Sequence, residues 1–285
     1  MYSTFTISTV ISVFLGFLAV VFGKMVGINI SLVDAVLISA FAGLLSYFIM
    51  FGITLLIAFM SYRRGWDPDN MTAPLITLSG DIFTLPLLFI SFGLIIRFNA
   101  GIKILVLFLF LLLSLLLPVY SKENSTARKI LLESIPVLFI CGFIDIIAGT
   151  FLGSHIDKLV LFSGVLTMLP AFLEDCGAIG GIMAARLSSA LYLGEIEERE
   201  LFFVKMHLIS LPIFIIIGTI AYCVNFFMGV SSLSFAYMLA IPVVAGETVL
   251  FLVDIMVYFI SLKTFEHGLD PDNFVIPIIT STVDV

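Results

Sequence analysis

Asp81 and Asp284 are carboxylates set in apolar sequence, and each follows a threonine, Thr77 or Thr280, by four residues. On a helix this spacing puts hydroxyl and carboxyl on one face, one turn apart. Each Asp lies about 10 Å beyond Pro74 or Pro277, the prolines expected to start the helices, at 1.5 Å of rise per residue. An ionised carboxyl at that depth in hydrocarbon costs about 2.5 to 3.5 kcal/mol, so it is expected to face a bundle interior or an aqueous cavity. Two such residues facing one axis repel each other, and a divalent cation between them cancels the repulsion. Mg2+ takes oxygen ligands, keeps several waters and often uses one or two carboxylates, so an Asp pair with Thr hydroxyls suits it. Mn2+ and Co2+ are the alternatives. The plainer reading is local capping or pairing within a helix bundle; recurrence of the pattern at one depth favours the ion path.

The elements that must hold these residues are membrane spans. Of 285 residues, 61% are hydrophobic and 12% charged, with a mean hydropathy of +1.24, which places the chain in lipid. A span needs about 20 apolar residues to cross about 30 Å of hydrocarbon. Nine stretches qualify: 5–22, 35–59, 74–96, 102–119, 133–150, 160–184, 206–227, 237–262 and 274 to the end. The expected fold is an all-α polytopic membrane protein of about nine transmembrane helices. With loops assigned to alternate sides, nine basic residues (Arg63, Arg64, Lys122, Arg128, Lys129, Arg186, Arg199, Lys205, Lys263) face Lys24, Arg97, Lys103 and Lys158 across the bilayer. The richer side is expected to be cytoplasmic, which puts the N-terminus inside a multi-pass protein of the cell membrane.

A duplication sets the organisation. Residues 65–81 read GWDPDNMTAPLITLSGD and residues 268–284 read GLDPDNFVIPIITSTVD, nine identities in seventeen positions at an offset of 203. Gly43 pairs with Gly246, and after a one-residue shift Gly16 pairs with Gly218. Six spans separate corresponding helices, so the copies are expected to run parallel, related by an axis along the membrane normal. The expected division is 1–101 for the first repeat, 102–128 for a linker helix and loop, and 129–285 for the second repeat. The second copy has helices without a first-copy counterpart, and Val285 falls where the matching span is beginning. Both repeats are therefore expected to be incomplete, as in a piece of a longer chain, or completed by self-association.

Further acidic residues fall in or near the second-copy spans: Asp145, Glu174, Asp175, Glu247 and Asp254. Few bases accompany them, so they are expected to line a water-filled path or bind ions. Glu174 and Asp175 precede a run of small residues that permits close helix approach, and tight packing alone is the competing reading. Asp67, Asp69, Asn70, Asp270, Asp272 and Asn273 are good turn formers, so a solvated turn competes there with an ion-collecting site. Cys141, Cys176 and Cys223 lie in apolar runs and read as small hydrophobes. His155, His207 and His267 show no converging metal spacing and read as incidental. No nucleophile elbow or phosphate-cradling loop is present in the sequence, and the chain is read as a transporter, not an enzyme.

DPDN followed by PLITLSGD at 67–81, its copy at 270–284, and GAIGGIMAARLSSALYLGEIE at 177–197 resemble the MgtE family of magnesium channels and its two-repeat archaeal and eukaryotic solute-carrier relatives. The resemblance implies two MgtE-like five-helix units around a central pore, with an Asp in the fifth helix of each binding Mg2+. By motif these are Asp81 and Asp284. Many relatives carry Gly-Asn where this chain has Gly177-Ala178, so that Asn does not carry over, and Glu174 and Asp175 stand as substitutes. A proton- or sodium-coupled carrier of a small organic solute is the alternative function, with the acidic residues relaying the coupling ion.

Overall fold

The structure, a computed structural model, describes residues 2–25, 27, 29–120, 125–194 and 199–284. Ten helices and one 3-10 turn account for its regular structure: α1 Tyr2–Met25, α2 Leu32–Arg64, α3 Pro68–Arg97, α4 Ala100–Tyr120, α5 Ser125–Val160, α6 Ser163–Leu166, α7 Leu169–Leu193, α8 Arg199–Met228, α9 Phe235–Glu266, the turn Pro271–Asn273 and α10 Val275–Val283. No strand forms among the described residues. Helices suit lipid because each satisfies its backbone N–H and C=O groups within its own segment.

Among the described residues, eight helices are long and apolar enough to cross a bilayer. The ninth expected span, from 274 onward, is the nine-residue α10, shorter than the roughly 20 residues a crossing takes. The expected loop between 150 and 160 is also helical. α5 runs unbroken for 36 residues, because composition marks where the oil stops, whereas a helix stops only at a breaker or cap. The break comes instead at residues 161–162 and again at 167–168, on either side of α6. The DPDN segment, expected as a turn twice, differs between copies. Pro68 opens α3 as its first residue, whereas Pro271 opens a short 3-10 turn ahead of α10, with the Asp270 side chain accepting from the Asp272 amide at 3.2 Å. Pro74 consequently lies inside α3 and does not start it.

The chain divides into two compact units, Met1–Thr150 and Phe151–Val285. In the first, α2 packs along both α1 and α3, and α4 touches α1 and α2. Leu37, Ile38 and Ala40 of α2, Ile95 of α3 and Phe110 of α4 form its buried centre. Ser31 caps α2 by accepting from the Asp34 amide at 3.1 Å, and the Asp34 carboxylate accepts from Lys103 of α4 at 2.7 Å. Phe14 and Phe22 of α1 meet Phe139 and Phe143 of α5. In the second unit, α7, α8, α9 and α10 share one core that includes Cys176, Met183, Phe214, Leu250, Val253 and Ile279. The small residues of α7 are buried here, and a Cβ on Gly180 would stand 2.5 Å from Ile279.

The repeat seen in sequence recurs as one hairpin built twice. α2 and α9 begin 203 residues apart, after Ser31 and Ser234, and each is followed by a left-handed glycine, Gly65 at φ 64° and Gly268 at φ 71°. A Cβ on Gly16 would stand 2.5 Å from the Val36 Cα, and one on Gly218 would stand 2.3 Å from the Met238 carbonyl oxygen and 3.1 Å from the Leu239 Cα. Gly43 faces Ser12 as Gly246 faces Phe214, at the same offsets of 203 and 202. Glycine here lets two backbones touch, which in lipid is a main source of helix association. Gly218→Ala should therefore destabilise the folded protein by about 1 to 3 kcal/mol through overpacking. Gly52→Ala, with open space around the added methyl, should not. Thermal unfolding of the two variants in one detergent checks the difference.

Candidate functional site

Thr77 and Asp81 lie on α3, where the Thr77 hydroxyl donates to the Pro74 carbonyl at 3.1 Å. Asp81 is exposed on the first unit. It stands about 20 Å along the helix from Pro68, since α3 starts six residues earlier than Pro74. In the second unit the Thr280 hydroxyl bonds the Ile276 and Pro277 carbonyls at 3.1 and 3.0 Å. Asp284 is the exposed residue that ends α10. The two threonines thus donate their hydroxyl hydrogens to carbonyls of their own helices. The i, i+4 relation holds on α3, and on α10 Asp284 follows the last helical residue.

Of the other acidic candidates, Asp145 is exposed on α5, and Glu174 and Asp175 are half-buried on α7. Asn273 is half-buried in the 3-10 turn, and the side chain of Asn70 lies outside the described residues. Asp175 is the carboxylate of a cleft of about 380 Å³ whose walls include Thr167, Met168, Ala171, Ile213 and Ile217. The α6–α7 break at its mouth is fastened by Asn225 of α8, fully buried. Its amide donates to the Gly164 carbonyl at 2.9 Å and accepts from the Thr167 hydroxyl at 2.7 Å.

Glu247 and Asp254 are partly buried and share one partner. They hold His207: its Nδ1 is 2.5 Å from Glu247 Oε2 and its Nε2 is 2.8 Å from Asp254 Oδ2. The Ser210 hydroxyl donates to the other Glu247 oxygen at 2.6 Å. His207 is therefore not incidental, unlike His155 and His267, whose rings bond carbonyls of their own helices. The signal was legible in part. Glu247 and Asp254 are seven residues apart, two turns on one face, but nothing along the chain says which face of α8 meets them. The ring stands between the carboxylates, and among the described residues no group of three His, Cys, Asp or Glu is placed to hold a metal ion.

Eight membrane-length helices among the described residues, a duplicated hairpin and carboxylates within the apolar helices make this a polytopic, all-helical membrane protein. The chain belongs to the MgtE family, divalent cation transporters, which it matches over residues 1–91 and 169–285. The two matched stretches contain the two copies of the hairpin. No curated protein and no solved structure matches the chain.

Asn225→Leu should remove both bonds that pin the α6–α7 break and leave the Gly164 carbonyl and Thr167 hydroxyl to find other partners, a loss of about 1 to 3 kcal/mol. Thermal unfolding read beside limited proteolysis at 161–168 checks it: cleavage there should quicken while the rest of the chain keeps its pattern.

Proposed function

We propose that this chain carries Mg2+ across the membrane, with Asp81 and Asp284 as the carboxylates that meet the passing ion and Thr77 and Thr280 as supporting oxygen donors. Membership of a divalent cation transporter family supports the substrate class. The observation that carries the residue assignment is the exact recurrence of Pro-x-x-Thr-x-x-x-Asp at 74–81 and 277–284. A carboxylate that recurs at the same place in both sequence copies, set in apolar sequence, calls for a compensating charge, and an oxygen-seeking dication supplies it. The family resemblance points to the same two residues. Mn2+ and Co2+, which accept the same oxygen donors, stand as secondary substrates, and the reading assigns transport rather than an enzymatic reaction. Residues 102–128 are read as the linker between repeats.

Proteoliposomes containing the full chain should take up Mg2+ faster than protein-free vesicles. The Asp81→Asn/Asp284→Asn pair should reduce that flux by at least about tenfold, the effect of about 1.4 kcal/mol on binding or barrier. Undiminished flux in the pair would remove the site assignment, and saturable uptake of an organic solute without divalent-cation flux would favour the alternative carrier.

The excess of basic residues on one set of loops supports a cytoplasmic N-terminus in the cell membrane. A single-cysteine chain carrying Arg64→Cys should then resist an impermeant thiol reagent applied to intact cells, and rapid labelling from outside would reverse the orientation.

A further inference from the structure

We propose that His207, Glu247 and Asp254 form a proton-binding site within the α8–α9 hairpin, and that its occupancy makes transport through this chain respond to pH.

The geometry counts the protons. A neutral imidazole offers one N–H and one lone pair, and an ionised carboxylate only accepts. Both ring nitrogens of His207 lie within hydrogen-bond distance of carboxylate oxygens, at 2.5 and 2.8 Å. Two such bonds need two hydrogens, so the trio holds one proton more than a neutral ring with two carboxylates would. That proton sits on the second ring nitrogen or on a facing carboxyl. When it leaves, a lone pair points at an anionic oxygen, and the link from α8 to two turns of α9 becomes a repulsion.

Other titratable groups lie on the elements packed against this hairpin. α7, which packs against both helices, carries Glu174, Asp175, Cys176 and Arg186, and the 3-10 turn packed against α9 carries Asp272. The helical residues of α6 and α10 include no titratable side chain. Lys205 of α8 and Lys263 of α9 are exposed. Asp254 Oδ1 is buried without a hydrogen-bond partner, so this carboxyl is only half compensated and depends on what its other oxygen meets.

The first hairpin is an internal control. At the offsets that align Gly16 with Gly218 and Gly43 with Gly246, the trio corresponds to Phe5, Leu44 and Phe51, and Ser210 to Ser8. Phe5 packs edge-on against Tyr47 at 5.1 Å, and Tyr47 stacks on Phe51 at 5.8 Å. The Ser8 hydroxyl bonds the Gly43 carbonyl at 3.2 Å. The same helix pair thus closes with an apolar, aromatic contact in this place. The fold does not require ionisable groups there, and retaining three of them in an apolar hairpin carries a cost that proton exchange gives a purpose.

The test uses the full chain in lipid nanodiscs without divalent cation, following the ring nitrogen signals of its three histidines by NMR as pH is varied. His207 should titrate by one proton at a midpoint about one pH unit or more from those of His155 and His267, and Glu247→Gln or Asp254→Asn should displace that midpoint by a similar amount. A His207 that titrates together with the other two, in wild type and variants alike, overturns the site. A second readout is divalent-cation flux into proteoliposomes at pH values on either side of the midpoint, and this half rests on the transport reading above. Wild type should give different fluxes at the two values, and His207→Phe/Glu247→Leu/Asp254→Phe, which installs the first hairpin's residues and avoids stranding a lone charge, should lose that difference. A wild-type flux equal on both sides of the midpoint overturns the link to transport. Absence of any cation flux with the ring titration intact overturns the cation reading and leaves the proton site standing.

Discussion

Glycine against backbone is the contact on which both halves of the molecule rest. In lipid, helices gain nothing by hiding apolar surface from water, so association depends on how closely they approach and on what polar groups bond across the gap. Gly16 on Ala35–Val36 and Gly218 on Met238–Leu239 bring two long helices to touching distance. Gly43 and Gly246, seven residues or about two turns beyond Val36 and Leu239 on α2 and α9, make the second point of contact, on Ser12 and Phe214. Two points determine how the hairpin crosses. The copies also share the left-handed glycines that follow α2 and α9.

With the crossing held, the copies are free to differ in what fills the hairpin. The first is closed by Phe5, Tyr47 and Phe51, the second by His207 between Glu247 and Asp254. These are opposite solutions to one packing problem. Stacked rings need no partner beyond each other, whereas three ionisable groups in an apolar wall must satisfy each other or draw water and ions. The copies diverge at the other end as well. The segment that opens as the 30-residue α3 in one copy is a 3-10 turn followed by the nine-residue α10 in the other. Membership of a divalent cation transporter family gives these differences a context, since a transporter needs a rigid scaffold and a few charged groups that it does not neutralise permanently.

Some of the candidate residues stand out in the chain by themselves. Thr77–Asp81 and Thr280–Asp284 declare themselves by spacing and repetition, and the structure keeps each pair on or at the end of one helix. Glu247 and Asp254 were legible as ionisable residues in a span and as two turns of one face, but their partner was not. His207 reads as an isolated histidine along α8 because its neighbours in sequence are apolar or exposed. Asn225, which pins the α6–α7 break through Gly164 and Thr167, was silent for the same reason: its partners lie 58 and 61 residues away.

By itself the sequence determined the solvent, the helical class, the duplication and the register between its copies, because each rests on composition or on short-range periodicity that folding does not alter. Tertiary structure alone decided that α5 continues to Val160, that DPDN becomes a helix start in one copy and a 3-10 turn in the other, and that an imidazole lies between two carboxylates. The reason lies in the helices' lack of a polar side. A water-soluble helix advertises its buried face as a stripe of apolar residues, but a span that is apolar all round carries no such mark, so which residues meet across a gap is set by backbone approach at a few glycines.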